Sequence, residues 1–250
     1  MKKLPIIIFL IVPYISFCQI TYINSASNPA DNGTLGVTPV AVTPPTMQAG
    51  DLVLMFAYVR NTTATMTISV TGGQVWSEQT ALSNTNIGAK LFWCRYNGTW
   101  AANPSVAFSN ATSTTVVMHV FRPTKPSLRW AIEANQVETD FVAPANPFTV
   151  TITGRTTRIP SSVTIAAWFT ADDNSWGTLA GTGWVVTGAA QYRNLNGTDV
   201  SGTFAHNIKT TAGATNNVSK NQTVNGGDLG TAMIITFFEM AHGMSALILD

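Results

Sequence analysis

The residues of this sequence best suited to chemistry lie in one short polar stretch, TADDNSWG. Asp172, Asp173 and Asn174 in this stretch offer the oxygen ligands that Ca2+ prefers, and Asp31 and Asp228 occupy other loops rich in Gly and Asn. The ligand spacing of an EF-hand is absent, and Asp and Asn also suit turns because their side chains bond nearby backbone groups. We therefore expect no cofactor, with Ca2+ as the alternative.

Trp176 stands close to these oxygen-bearing residues. A sugar ring stacks its apolar C–H face on an exposed indole, while Asp and Asn side chains bind its hydroxyl groups. Trp176 with Asp172–Asn174 is therefore the predicted carbohydrate-binding site, and Trp100 in the loop NGTWAANP is a further candidate. The alternative is that the Trp176 indole folds over the end of the β structure.

The histidines and cysteines indicate no metal centre. His119, His206 and His242 form neither H-x-x-x-H nor H-E-x-x-H, and no cysteine pair has the spacing of zinc ligands. His119 lies within the strand-like run VVMHVF, where we expect a hydrogen-bonded core or interface side chain. His206 lies on an alternating strand, where we expect an exposed side chain.

Catalytic patterns are equally weak. The stretch HGMSA, residues 242–246, is similar to a nucleophile elbow, but it lacks the second Gly and few residues follow it to supply triad partners. The acidic residues show no spacing that selects the carboxylate pair of a glycoside hydrolase, and no phosphate-binding Gly pattern occurs. We therefore predict that the protein is not an enzyme and has no catalytic residues.

The composition sets the broad class of the protein. Of 250 residues, 45% are hydrophobic and 10% are charged, against about 25% charged in an average domain. The chain is predicted to fold, because disordered chains are rich in charge and poor in apolar residues. The formal net charge of +1, with no cluster of Lys or Arg, lacks the electrostatic footprint of a nucleic-acid-binding protein.

The first residues have the pattern of an export signal. Two lysines precede the apolar run LPIIIFLIVPYI, and Ser16 and Cys18 place small residues at positions −3 and −1 of a cleavage before Gln19. Residues 1–18 are therefore the predicted signal peptide, so the mature protein is expected to be secreted or at the cell surface and not in the membrane. Lipidation of Cys18 and retention as an anchor are the alternatives. Only Cys94 remains in the mature chain, which permits no internal disulfide and predicts a buried thiol.

The rest of the chain predicts strands. Short apolar stretches rich in Val, Ile, Thr, Phe and Trp alternate with Gly, Pro and Asn-Gly breaks, which predicts an all-β, jelly-roll-like sandwich of two antiparallel sheets. The Pro-rich segment VTPVAVTPPT is a predicted edge strand, because Pro cannot donate to a sheet ladder. The predicted strands are Ile20–Ser25, Thr38–Val42, Leu52–Arg60, Met66–Val70, Lys90–Asn97, Ser105–Ser109, Thr114–Phe121, Ala131–Gln136, Phe148–Ile152, Ser162–Thr170, Gly183–Val186, Ser201–Lys209, Val218–Val224 and Thr231–Phe238.

The apolar runs occur twice in similar order, as pseudo-repeats over residues 50–122 and 161–238. One half has too few strands to hide both faces of its sheet, so the two halves are predicted to pack face to face around one core. Residues 19–240 then form a single domain, followed by a tail over residues 241–250, and two small barrels in tandem are the alternative. The matched positions are Leu52–Val59 with Val163–Thr170, Trp76 with Trp184, Phe92 with Phe204, and Thr115–Phe121 with Thr231–Phe238.

The order AGDLVLMFAYVRN, TGGQVW, AKLFWCRY, PSVAFS and TTVVMHVFRP resembles a loosely defined group of secreted bacterial and phage-associated jelly-roll proteins. That group has an opening Gly-Asp strand, a Gly-Trp turn and an aromatic Tyr-Arg strand. The chain departs from it at Gly73–Trp76, where the turn is Gly-Gln-Val-Trp, whereas Gly183 and Trp184 match. The resemblance implies an extracellular, assembled or adhesive protein and no catalytic residues.

These observations lead to one function with two alternatives. The expected function is a secreted, non-enzymatic β-sandwich that acts as a cell-surface, adhesive or self-assembling structural subunit, with copies of itself as partners. Its neutral polar surface suits repeated contacts, and the tail could add a strand to a neighbour. A lectin-like module that binds surface glycans is the alternative, and a polysaccharide-active enzyme is the third hypothesis.

Overall fold

The computed structural model describes residues 19–36, 38–110, 112–142, 148–222 and 228–241. Within these ranges the regular elements are strands, and every ladder between them is antiparallel, so the prediction of an all-β protein with antiparallel sheets is confirmed. The signal peptide and residues 242–250 of the tail lie outside the described residues. The strands are β1 (Thr21–Asn28), β2 (Val40–Ala41), β3 (Leu52–Val59), β4 (Met66–Ile68), β5 (Ser77–Glu78), β6 (Leu82–Asn84), β7 (Ile87–Arg95), β8 (Ser105–Phe108), β9 (Thr114–Arg122), β10 (Arg129–Val142), β11 (Phe148–Ile152), β12 (Thr156–Thr157), β13 (Ser162–Thr170), β14 (Trp176–Ala180), β15 (Val185–Val186), β16 (Tyr192–Asn194), β17 (Val200–Lys209), β18 (Gly213–Ala214), β19 (Val218–Gln222) and β20 (Leu229–Met240).

The two halves of the chain repeat one topology. In the first half, β1 to β9, a large sheet has the order β1-β9-β3-β7-β5 with β6 beside β7, and a small sheet has the order β2-β8-β4. In the second half, β10 to β20, the large sheet has the order β10-β20-β13-β17-β15 with β16 beside β17, and the small sheet has the order β11-β19-β14. The short strand β2, which lies within the Pro-rich segment, is at the edge of its sheet, as predicted. The short pair β12-β18 has no counterpart in the first half.

The two large sheets face each other across a central core. Its side chains come from both halves, and the residues of β3 and β13 are buried along their whole length. Phe56 of β3 and Phe204 of β17 meet there with ring centroids 4.8 Å apart, and the Tyr58 hydroxyl donates to the Tyr192 carbonyl oxygen over 2.7 Å. The central core contains, among others, Leu52, Leu54, Phe56, Tyr58, Leu91, Val117, Phe121, Val163, Ile165, Phe169, Tyr192, Phe204, Met233, Ile235 and Phe237.

Each half also covers the outer face of its large sheet with its own small sheet. The first outer core lies in the first half and the second outer core lies in the second half. One half therefore hides only the outer face of its large sheet, and the other half covers the inner face, as predicted. The sequence did not predict the small sheets, which are formed by β2, β4 and β8 in the first half and by β11, β14 and β19 in the second. The first outer core contains Val53, Met55, Phe92, Cys94, Tyr96, Val106 and Met118, and the second contains Val150, Ala166, Trp168, Trp176, Trp184, Ala205 and Ile234, among others.

The register of the strands shows which residues of the two halves are equivalent. Leu54 pairs with Trp93 and His119, and its counterpart Ile165 pairs with His206 and Ile235. His119 of β9 therefore corresponds to Ile235 of β20, and Trp93 of β7 corresponds to His206 of β17.

The predicted match of Phe92 with Phe204 is wrong by one residue. Phe92 lies in the first outer core, whereas Phe204 lies in the central core, as does its true counterpart Leu91. Successive side chains of a strand point to opposite faces, so a shift of one residue moves a ring from one core to the other.

Two asparagines tie the halves together at equivalent positions. Asn194 at the end of β16 donates through Nδ2 to the Thr114 carbonyl oxygen over 2.8 Å, and its Oδ1 accepts from the Leu35 amide over 3.0 Å. Asn84 at the end of β6 donates through Nδ2 to the Gly230 carbonyl oxygen over 2.7 Å. Thr114 begins β9 and Gly230 lies at the start of β20, which are equivalent strands. Each asparagine therefore bonds the start of the equivalent strand in the other half.

We expect Asn194→Ala to destabilise the protein by about 3 kcal/mol, because it removes a fully buried side chain that bonds the Leu35 amide and the carbonyl oxygens of Leu35 and Thr114. Asn194 is fully buried, whereas Asn84 is half-buried and water can replace its bonds. The matched variant Asn84→Ala should therefore cost only about 1 kcal/mol. Urea unfolding of both variants measures the difference, and equal losses would contradict the assignment.

Candidate functional site

Described residues from three connections of the second half meet at the end of the large sheet where β13 finishes. Thr170, the last residue of β13, pairs with Ser201 near the start of β17 and with Gly230 near the start of β20. The antiparallel pairing therefore brings the loop after β13 beside the residues that precede β17 and β20. The carboxylates that these loops carry belong to Asp172, Asp173, Asp199 and Asp228, here called the acidic cluster.

The acidic cluster has the atoms that a hard cation needs. Oxygen atoms of Asp172, Asp173 and Asp199 lie within 4.8 Å of one another. Asn174 joins the cluster through its Nδ2, which donates to Asp228 Oδ2 over 2.7 Å. The structure thus brings together the residues that the sequence predicted, and it adds Asp199 from the loop before β17. Carboxylate oxygens at this spacing can bind Ca2+.

Burial and mutual repulsion oppose full ionisation of the cluster. Burial, and then the charge of Asp228, raise the pKa of Asp172 from 3.8 to about 7. Burial and the charge of Asp173 also raise the pKa of Asp199, although Arg60 lowers it. Below about pH 7 the cluster therefore holds a proton, and a bound cation would compete with that proton.

Arg60, which follows β3, brings a positive charge from the first half to these loops. Its Nη1 donates to the carbonyl oxygens of Ala171 and Asp199 and lies 3.7 Å from the Asp199 carboxylate. Sequence reasoning missed Arg60, because no local pattern indicates a contact with a residue 111 positions away. Asp31 pairs with Arg193 instead, with Asp31 Oδ1 and Arg193 Nε 3.0 Å apart.

The indole of Trp176 is buried and hydrogen-bonded. The residue is 4% exposed in the second outer core, and its Nε1 donates to Ser201 Oγ over 3.0 Å. Ser201 also bonds Thr170, and Gln222 donates to Thr170, so a buried polar network fixes the ring. The predicted sugar-stacking role of Trp176 is therefore not supported. The residue begins β14 and faces the interior, which leaves no open ring face for a sugar.

Trp100 lies in a different part of the molecule from Trp176. It packs against the first outer core, and the rings of Tyr96 and Trp76 stack on it with centroids 5.1 and 6.2 Å away. The structure does not bring the two predicted tryptophans into one site. Trp100 contributes to a stack of three aromatic rings in the first outer core.

Both described histidines lie inside the protein. His119 is fully buried, in agreement with its predicted place in the core or at an interface, but the predicted hydrogen bond is wrong, because neither ring nitrogen has a partner among the described residues. The predicted exposure of His206 is wrong, because β17 is covered on both faces and leaves the residue 7% exposed. Cys94 is buried as predicted, and burial raises the pKa of its thiol, which suits packing better than reactivity. His242 and the stretch 242–246 lie outside the described residues.

No protein-family model, curated protein or solved structure matches the chain. In the part of the chain that the structure describes, no helix has the length and apolar character that crossing a membrane would require. A function must therefore be inferred from the geometry of the described residues.

We expect Asp172→Asn to stabilise the protein at pH 8 and to leave its stability unchanged at pH 3.5. A carboxyl whose pKa is raised from 3.8 to about 7 on folding loses stability as the pH rises between these values, and Asn does not titrate. Asp172 is half-buried, so solvent screens part of the repulsion and the gain should be about 1 kcal/mol. Urea unfolding across pH 3.5–8 measures it, and a gain independent of pH would contradict the explanation.

Proposed function

We propose that this chain is a secreted, non-enzymatic β-sandwich that serves as a cell-surface, adhesive or self-assembling structural subunit. The observation that supports this best is the edge strand β10. It is 14 residues long and lies at the end of the strand order of its sheet, with β20 as its neighbour. A strand at a sheet edge presents backbone donors and acceptors to which another chain can pair.

The second part of β10 suits such pairing. From Val137 to Val142 the strand pairs with β20 without a register shift, whereas shifts interrupt the ladder between Ile132 and Val137. Val137 and Val142 on this part of the strand are 51% and 57% exposed. A regular edge with exposed apolar side chains favours contact with a second chain over isolation in water.

A second apolar surface supports an adhesive role. Val70 and Val75 are 79% and 83% exposed in the turn between β4 and β5. Gly72 and Gly73, both with positive φ, form the tip of the turn, and Gln74 is buried and bonds the neighbouring loop at Thr99 over 2.6 Å. A braced turn that presents two valines to solvent suits binding to another surface.

The lectin-like alternative has less support than the structural subunit. Its main residue, Trp176, is buried, and Trp100 stacks on rings of its own chain. Asp172, Asp173 and Asn174 remain near the surface, but without an open aromatic ring they have no platform on which a sugar would stack.

We expect the secreted chain to associate as its concentration rises. The double variant Val137→Lys with Val142→Lys should weaken that association about tenfold or more, because lysines on an edge strand oppose strand pairing. Light scattering after size-exclusion chromatography measures the effect, and electron microscopy shows the form of the assembly. The matched control is Val185→Lys, since Val185 is 57% exposed on β15 at the opposite edge of the same sheet. Equal association of both variants and the natural chain would exclude β10 as the contact.

We also propose that the acidic cluster binds Ca2+. The observation in its favour is the approach of Asp172, Asp173 and Asp199 from two loops to within 4.8 Å. A divalent cation there would offset the repulsion that raises the pKa of Asp172 and would hold the loops together.

At a tenfold excess over Kd, Ca2+ should raise Tm by about 4 °C, the shift that ~1.4 kcal/mol gives in a domain of this size. The double variant Asp172→Asn with Asp199→Asn should show no shift. Thermal unfolding with and without Ca2+ measures both, and Mg2+ serves as the control because it prefers a rigid octahedral site with several waters. An unchanged Tm at millimolar Ca2+ would exclude the site.

A further inference from the structure

Two histidines, one from each half, lie close together in the contact between the large sheets. His119 belongs to β9 of the first half and His206 to β17 of the second half. The ring of Tyr22 on β1 contacts both, with its centroid 6.3 Å from that of His119 and 5.4 Å from that of His206. The two imidazoles are therefore placed where the halves join.

The surroundings of His119 accommodate only the neutral form of its imidazole ring. The residue is fully buried, and the rings of Phe56, Tyr192 and Phe204 lie with centroids 4.6–6.0 Å from its own. Among the described residues, neither ring nitrogen of His119 has a hydrogen-bond partner. A charged imidazolium at this position would be without compensation.

The surroundings of His206 compensate a positive charge on its ring only slightly better. It is 7% exposed, its Nδ1 lies 2.8 Å from Thr187 Oγ1, and Phe121 lies edge-on to its ring. Apart from the two histidines themselves, the titratable groups that face these rings are Tyr22 of β1 and Tyr192 of β16. The rings that β3 and β9 contribute, Phe56 and Phe121, are apolar. No carboxylate among the described residues contacts either ring to balance a positive charge.

The pKa values agree with this arrangement. Burial, and then the charge of His206, lower the pKa of His119 from 6.5 to about 3. Burial lowers the pKa of His206 from 6.5 to about 4. A group whose pKa falls on burial takes up its proton more readily when the burial is undone, so acid below about pH 6.5 favours any state in which these rings are exposed.

The fold itself does not require histidine at either position. The residue equivalent to His119 in the other half is Ile235, and the residue equivalent to His206 is Trp93. Both counterparts are apolar and both pack in or against the central core. The same strand positions are thus filled by apolar side chains in one half and by titratable ones in the other.

Each half also has a core of its own behind its large sheet. Cys94 and Phe92 lie in the first outer core, and Trp168 and Trp184 lie in the second. Loss of the contact between the large sheets would expose the central core while each pair of large and small sheets stays packed.

We propose that the contact between the two halves is an acid-sensitive joint, in which protonation of His119 and His206 opens the central core and leaves both outer cores closed. This inference does not depend on the assembly or the Ca2+ site proposed above. Each histidine should make opening about 30-fold more favourable between pH 7.5 and 5, so the pair should give about a 10³-fold change.

Thiol labelling tests the proposal with a control inside the same molecule. Ala167→Cys places a thiol in the central core, and the natural Cys94 reports on the first outer core. The labelling rate by dithiodipyridine, divided by the rate of the unfolded chain at each pH, yields the opening constant of each site. Ala89→Cys, also in the central core, replaces Ala167→Cys if that variant does not fold.

The expected result is a 10³-fold rise in labelling of the central thiol from pH 7.5 to 5 while Cys94 stays protected. His119→Ile should reduce the rise to about 30-fold, and His119→Ile with His206→Phe should abolish it. Asp172 titrates in this range in every variant, so the difference between variants is the diagnostic quantity. An equal rise in the double variant would overturn the proposal, and so would labelling of Cys94 in step with the central thiol.

Discussion

The packing of the two large sheets against each other is the constraint on which the rest of the molecule depends. The strands β3 and β13 bury all their residues because the partner sheet covers one face and a small sheet covers the other. Asn84 and Asn194 fix the relative position of the halves through backbone bonds at equivalent points. Side-chain burial thus supplies the attraction, and the asparagines supply the register.

The two large sheets and their contact could be predicted from the sequence, and the small sheets could not. Long apolar runs such as Leu52–Val59 and Ser162–Thr170 indicate strands covered on both faces, and the structure has them at the predicted positions. The small sheets could not be predicted as separate layers, because β2 is short and β14 follows a polar stretch of sequence. Short strands at a sheet edge gain their stability from the sheet on which they pack, which a local pattern does not record.

The site shows the same division between local and distant information. Asp172, Asp173 and Asn174 could be grouped from the sequence because they are neighbours in the chain. Asp199 and Arg60 join them only because β13 and β17 pair and the halves pack, so no spacing indicates their presence. Trp176 was assigned to a loop because polar residues surround it, but it pairs with Gln222 of β19 and its buried indole donates to Ser201 of β17.

The acidic cluster and the histidine pair respond to pH in opposite directions. The cluster lies where Arg60 of the first half reaches the second, and a raised pKa means that its loops are held better when Asp172 is protonated. The histidine pair lies inside the same contact, and a lowered pKa means that the contact is held better when the rings are neutral. Acid therefore relieves repulsion at the rim of the contact while it introduces charge into its centre. Since His119 is fully buried and Asp172 is half-buried, the effect at the centre is the larger one, and the contact as a whole weakens as the pH falls below 6.5.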